Sequence, residues 1–252
     1  MAAAAPSPVV AALSDIGLRR KENQDSYGHF RAEAAAAKGD LVVVADGMGG
    51  HQGGAVASRL AVETIVNFYR SAPSGPLDAT LHEAIRRASE RIFQAAQQKP
   101  ELAGMGTTCT ALALADGRAH VVHVGDTRAY LIREGRIRRL TADQTWVQAM
   151  AEQGVISPGD AERHPDRNIL MQALGTPRPP QSAALPEPLP VQAGDLFLLC
   201  TDGLSGLVQD DELLELTLAD SDLQQACARL VELAKARGGD DNITVVMARI
   251  PA

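Results

Sequence analysis

Two rhythms of apolar and polar residues alternate along the chain. Val9 to Ser14 and Tyr27 to Arg31 read as short strands. Leu41 to Ala45 is an unbroken, valine-rich apolar run, too short for a helix, and predicts a strand buried on both faces. Residues 55–69 and 77–97 then carry apolar side chains near the helical period. The SAPSGP between them enforces a break, so two antiparallel helices are expected to cover one face of a sheet. From Gly106 the strand rhythm returns in TTCTALALA, AHVVHVGD and AYLIREG, with turns at Asp116-Gly117 and Glu134-Gly135, and predicts an antiparallel meander. Thr141-Ala142-Asp143 predicts an N-cap for a helix over QTWVQAMAEQG that Gly154 ends. Residues 155–190, rich in Pro, Arg and Gly, read as a flap or a variable surface insertion. Leu196 to Cys200 is a further buried strand, helices are expected at 210–218 and 222–236, and ITVVMARI is the last strand.

Composition narrows the class. The chain has 252 residues, 45% hydrophobic and 22% charged, enough for one sizeable core after a tail at 1–8. A net charge of −7 argues against sequence-independent nucleic-acid binding and against a membrane surface, and any phosphorylated substrate would need a local basic patch. Cys109, Cys200 and Cys227 are odd in number and set among apolar neighbours, which reads as reduced core thiols in a cytosolic protein. No apolar run reaches the roughly 18 to 20 residues of a spanning helix, and MAAAAPSP lacks the basic start of a signal peptide. The expectation is a cytoplasmic protein without a membrane anchor. No Walker phosphate loop and no internal repeat is present.

Candidate chemistry centres on DLVVVADGMGGHQGG, residues 40–54, where a buried strand delivers Asp46 into a glycine-rich turn. An ordinary turn into a helix is the plain reading of that stretch. A dinucleotide fingerprint fits poorly, because Asp46 would set a negative charge beside a pyrophosphate. Metal ligation through Asp46 and a free turn carbonyl is the third reading. Its test is recurrence. Asp126 in VGDTR, Asp202 in LLCTDG and Asp241 in GGDDN each sit at a join between an apolar strand and a glycine-containing turn. Like charges gathered at one rim call for a cation, and an all-oxygen set selects magnesium or manganese over zinc. His120 and His123, three apart on a strand, point to opposite faces and cannot share a metal. In the polar run 17–25, an arginine can clamp an oxyanion while Asp25 faces a metal or its waters.

In order and spacing, Arg20 with Asn23-Gln24-Asp25, DGMGGH (46–51), GTT (106–108), GDTRAYL (125–131), TDGL (201–204) and DDNIT (240–244) resemble the metal-dependent protein phosphatases of the PP2C or PPM type, most like their bacterial single-domain members. The resemblance covers about Val9 to Ile250. It implies an α+β fold, a four-layer α-β-β-α sandwich of two mainly antiparallel sheets flanked by helix pairs. It also implies two Mn2+ or Mg2+ ions: Asp46 bridging both, the Gly47 carbonyl on the first, Asp202 and Asp241 on the second. Asp126 with Asp202 matches a weaker third-cation site, Asp25 acts through metal-bound water, and Arg20 clamps the substrate phosphate. The implied activity is hydrolysis of phosphoserine and phosphothreonine by direct attack of a metal-bridging hydroxide, in a monomer opposing a cognate Ser/Thr kinase. Met48 stands where eukaryotic relatives carry a proton-donating histidine, leaving His51 or a metal-bound water for that task. Gln24 replaces the family's usual glutamate, and Gln144 stands where many relatives have histidine. The alternatives are a pseudophosphatase that binds phosphoproteins without turnover, or a phosphatase of small phosphate esters.

Overall fold

The computed structural model describes residues 7–32, 38–49, 52–73 and 75–251. In chain order it forms β1 (Val9–Asp15), β2 (Asp25–Phe30), β3 (Asp40–Met48), α1 (Gly53–Ser71), α2 (Leu77–Gln98), β4 (Gly106–Thr107), β5 (Cys109–Ala115), β6 (Arg118–Val124), β7 (Arg128–Arg133) and β8 (Arg136–Arg139). There follow α3 (Trp146–Glu152), α4 (Pro158–Arg163), β9 (Ala183–Ala184), β10 (Leu189–Pro190), β11 (Leu196–Cys200), α5 (Asp202–Ser205), α6 (Asp210–Leu218), α7 (Leu223–Ala236) and β12 (Ile243–Arg249). One sheet runs β1-β12-β11-β7-β8. The other runs β10-β6-β5-β3-β2, with β4 on β3 and β9 on β6.

Three apolar layers hold the four structural ones together. On β3, Leu41, Val43 and Ala45 face α1 and α2, while Val42 and Val44 face the other sheet and join Leu112, Phe197, Leu199 and Val246. A third cluster packs α6 and α7 on the far side through Leu213, Leu230, Val245 and Met247. The predicted α-β-β-α sandwich is therefore observed, and β3 is buried on both faces as its composition requires. Among the described residues no helix is long and apolar enough to cross a membrane.

The meander is a correction. β5 and β6 lie in one sheet and β7 and β8 in the other, so the chain changes sheets at Gly125-Asp126-Thr127. The strands on either side of the change, β6 and β7, are largely buried on both faces, and such a pattern does not say whether the next strand continues a sheet or crosses to its partner. The helix cap also moves. α3 starts later than expected, with Thr145 accepting from the Gln148 amide. Thr141 instead accepts the Ala129 amide, and Asp143 is taken by Arg128 and Arg139. Residues 155–190 are not a structureless loop. They contain α4, a bridge from Leu170 to Thr145, another from the fully buried Leu174 to Thr107, and two short strands on β6. Ser182 accepts or donates a 2.7 Å hydrogen bond with Nδ1 of His82, so that histidine is half-buried against this segment.

Candidate metal centre

Strand ends set the positions of the acids. β3 runs on to Met48, and its register on β2 places Asp46 opposite Asp25. The Asp46 carbonyl accepts from the Thr107 hydroxyl at 2.7 Å and the Thr108 amide at 2.9 Å, while its own amide donates to the Thr108 hydroxyl at 3.1 Å. β11 and β12 are antiparallel neighbours, so Asp202, just after one, and Asp241, just before the other, come to the same end of the sheet. Asp126 is buried at the sheet crossover. Gly47 donates to the Gln24 carbonyl at 3.1 Å, and a Cβ there would collide with the Gly54 and Gln24 carbonyl oxygens. Gly47→Ala is expected to cost about 1–3 kcal/mol, read as a fall in Tm of several degrees with weakened cation binding.

The local electrostatics are those of a cation site. Asp25 Oδ2 accepts from the Thr244 hydroxyl at 2.7 Å and the Thr201 hydroxyl at 2.9 Å, yet its Oδ1 is buried without a hydrogen-bond partner. Oδ1 of Asp202 is orphaned in the same way. Buried acceptors of this kind are rare in folded proteins unless something is to be bound. Burial, then repulsion from Asp202 and Asp241, outweighs those two hydroxyls and pushes Asp25 up to about 7. Burial and then Asp202 push Asp126 up to about 8. Asp46 is held well above the carboxylate range by burial and by Asp25 and Asp202, and Asp202 is raised by burial and by Asp241. Arg20 donates through Nη2 to Asp241 at 2.6 Å and lies in the field of Asp46 and Asp202. Among the described residues no three His, Cys, Asp or Glu side chains already close around one point, and Arg20 occupies Asp241. The donor set fits hard divalent cations: oxygen ligands, two of them without partners, in a region short of positive charge.

A cleft of about 730 Å³ opens over this rim, lined by Arg20, Asp126, Asp202 and Asp241. The structure thus brings together Arg20, Asp25, Asp46, Asp126, Asp202 and Asp241, and it fixes Gly47 beside them. His51 lies outside the described residues. His120 turns to Asp78 and His123 to the Ala142 carbonyl, on opposite faces as expected. Gln144 Oε1 accepts the Gly125 amide at 2.9 Å and so braces the crossover that carries Asp126. The sequence reading gave no role to Thr107, Thr108, Thr201, Thr244 or Asn242. Asn242 accepts the Gln24 amide and donates to the Ile16 and Glu22 carbonyls, tying the Arg20 loop to Asp241. The signal for these residues was their place in the segments GTT, TDGL and DDNIT, which named no role for them.

The family profile described as Protein phosphatase 2C matches residues 19–244. The chain belongs to the protein phosphatase 2C family. Its relatives include the serine/threonine protein phosphatase PstP of Mycobacterium tuberculosis, 40% identical over 95% of this chain and 44% of that protein. This chain therefore spans less than half the length of that relative. The Listeria innocua serine/threonine phosphatase stp is 34% identical over 93% of this chain and 92% of its own. Among solved structures, the catalytic domain of PstP in complex with two manganese ions superposes with a TM-score of 0.82 at 39% identity, covering 97% of this chain and 99% of that one. The Streptococcus agalactiae serine/threonine phosphatase gives 0.89 at 28% identity, covering 96% and 99%. Both support the sandwich as a protein phosphatase 2C fold.

Proposed function

We propose that this chain is a divalent-cation-dependent phosphatase that hydrolyses phosphoserine and phosphothreonine in proteins. The observation that carries the reading is the convergence of Asp46, Asp202 and Asp241 with Arg20 on one rim where buried carboxylate oxygens have no partner. Asp46 and the Gly47 carbonyl would hold one cation, with Asp46 shared by a second that Asp202 and Asp241 hold. Asp126 with Asp202 offers a third position, and Asp25 acts through water. Two such ions, when bound, supply a nucleophile at neutral pH and absorb charge from a dianionic ester. The chain's own part is positioning. Thr107 and Thr108 lock the backbone of Asp46, and Thr201 and Thr244 fix Asp25. Arg20, permanently charged and planar, matches two phosphate oxygens. His51 is the candidate proton donor for the leaving oxygen.

The thiols take no part. Cys109, Cys200 and Cys227 are buried, and burial pushes each up to about 12, which excludes them as nucleophiles at neutral pH. They also suit a reducing compartment, so the reading extends to a cytoplasmic monomer opposing a Ser/Thr kinase, with 155–190 a flap beside the cleft; the tail expected at 1–8 lies mostly outside the described residues. Purified protein should hydrolyse a phosphothreonine peptide and p-nitrophenyl phosphate when manganese is added and fall silent in EDTA. Binding of phosphopeptide without turnover would establish the pseudophosphatase instead, and faster turnover of sugar phosphates than of phosphopeptides would move the substrate class.

Stability should report the same acids without a substrate. Asp25 and Asp126, at about 7 and about 8, lie above the roughly 3.9 of an unfolded aspartate. For groups raised in this way, stability is complete below the unfolded value and is lost as pH rises through the folded one. Chelated protein should therefore melt several degrees lower at about pH 8.5 than at about pH 6, and manganese should raise Tm more at the higher pH. A chelated Tm that climbs over that interval would contradict the assignment of these acids.

A further inference from the structure

Resting on the phosphatase reading, and deepening it, we propose that Arg139 and Arg167 form a subsite for a second anionic group on the substrate, a carboxylate or another phosphate near the phosphoresidue. The overall charge of −7 repels such a substrate, so attraction has to be local. Arg128, Arg139 and Arg167 line the same cleft as Asp202 and Asp241, and one carboxylate, Asp143, serves two of them. Arg128 donates to Asp143 through Nη2 at 2.8 Å and through Nε at 3.2 Å, and its Nη1 lies 3.4 Å from the Tyr130 hydroxyl. Its donors are used, and it is a fixed strut.

Arg139 is different. It gives one nitrogen to Asp143, its Nε is buried with no hydrogen-bond partner, and its side chain remains 27% exposed to the cleft. Arg167 is exposed, and among the described residues its side chain forms no ion pair. Glu162, Asp210 and Asp211 also line the cleft, but among the described residues none of them pairs with Arg139 or Arg167. Both guanidinium groups line the cleft that Arg20 also lines, Arg139 through the part of its side chain that stays exposed and Arg167 without an ion-pair partner among the described residues. Their geometry matches a carboxylate or a phosphate and not a neutral side chain.

The test measures binding, so that it does not depend on turnover. Fluorescence anisotropy with manganese present would compare threonine product peptides that differ only in their flanking residues: aspartate, glutamine or phosphoserine, the last as its phosphonate so that the catalytic site cannot hydrolyse it. The aspartate or phosphoserine peptide should bind about tenfold tighter than the glutamine peptide, a preference that shrinks with salt. Arg167→Glu, an exposed change that leaves the packed fold alone, and Arg139→Gln should each reduce that ratio, and together bring it near one. A gain with phosphoserine alone narrows the subsite to phosphate; a gain with both assigns it to anions generally. Equal affinities in the wild type, or a ratio untouched by Arg167→Glu and Arg139→Gln, would overturn the proposal. Hydrolysis of p-nitrophenyl phosphate, assayed separately, reports the parent reading: no turnover there with the preference intact sinks the phosphatase assignment and leaves the subsite standing.

Discussion

Asp46→Asn is expected to lower kcat/KM for a phosphothreonine peptide in manganese by about three orders of magnitude or more. Asp46 is the acid that the fold does most to place. Three hydrogen bonds from the Thr107-Thr108 pair fix its backbone, a neighbouring strand sets Asp25 opposite it, and Gly47 behind it tolerates no side chain. Amidation keeps the size and removes the charge that two cations would share, so the loss should be in kcat and in cation affinity together. Isothermal titration with manganese supplies the independent reading, because the variant should lose heat of binding while keeping a native melt. Because burial and its neighbours hold Asp46 above the carboxylate range, amidation also removes the cost of protonating that side chain on folding and should stabilise the chelated protein. Near-native turnover in Asp46→Asn would mean that the cations, if they are needed at all, are held elsewhere.

Arg20→Lys comes second, with an expected fall in kcat/KM of about 10- to 100-fold, carried mainly by KM, and Arg20→Ala should fall at least as far. Lysine keeps the charge but presents one point where guanidinium presents a fork. Arg20 donates to Asp241 at 2.6 Å. Its removal therefore frees that carboxylate, and manganese should bind Arg20→Ala somewhat more tightly than wild type even as substrate binds worse. Opposite movements of the two affinities distinguish a clamp from a residue that merely supports the fold. If KM for the peptide is unchanged in Arg20→Ala, the arginine does not touch phosphate.

Legibility differed between levels. The buried runs Leu41 to Ala45 and Leu196 to Cys200 declared themselves because an unbroken apolar segment of that length can only be an interior strand. The helices at 53–71, 77–98, 210–218 and 223–236 followed from their period, with ends shifted by one or two residues. Pairing was less visible. Nothing in AHVVHV or AYLI tells a strand which of two facing sheets it will join, so the crossover at Asp126 was invisible to pattern alone. The cap at Thr145 was missed because Thr141 and Asp143 look equally able to cap until their partners, Ala129 and the two arginines, are known. At the site the acids were readable from repetition, four strand ends each marked by aspartate and glycine. The threonines and Asn242 that orient them were not, since a hydroxyl beside an aspartate has no signature of its own until the register is fixed.

β1 and β12 are zipped along their whole length, Val9 against Arg249 and Asp15 against Ile243. β1 is made long before β12 and must wait for it, and the loop that this pairing closes is nearly the entire domain. Partial chains can collapse the helix-covered half, which is built from local neighbours. They cannot assemble the corner where Asp241 meets Asp202, because that corner arrives with the final strand. Catalytic competence in this architecture is thus all-or-none during synthesis: a stalled or shortened nascent polypeptide would carry most of the ligands and none of the geometry.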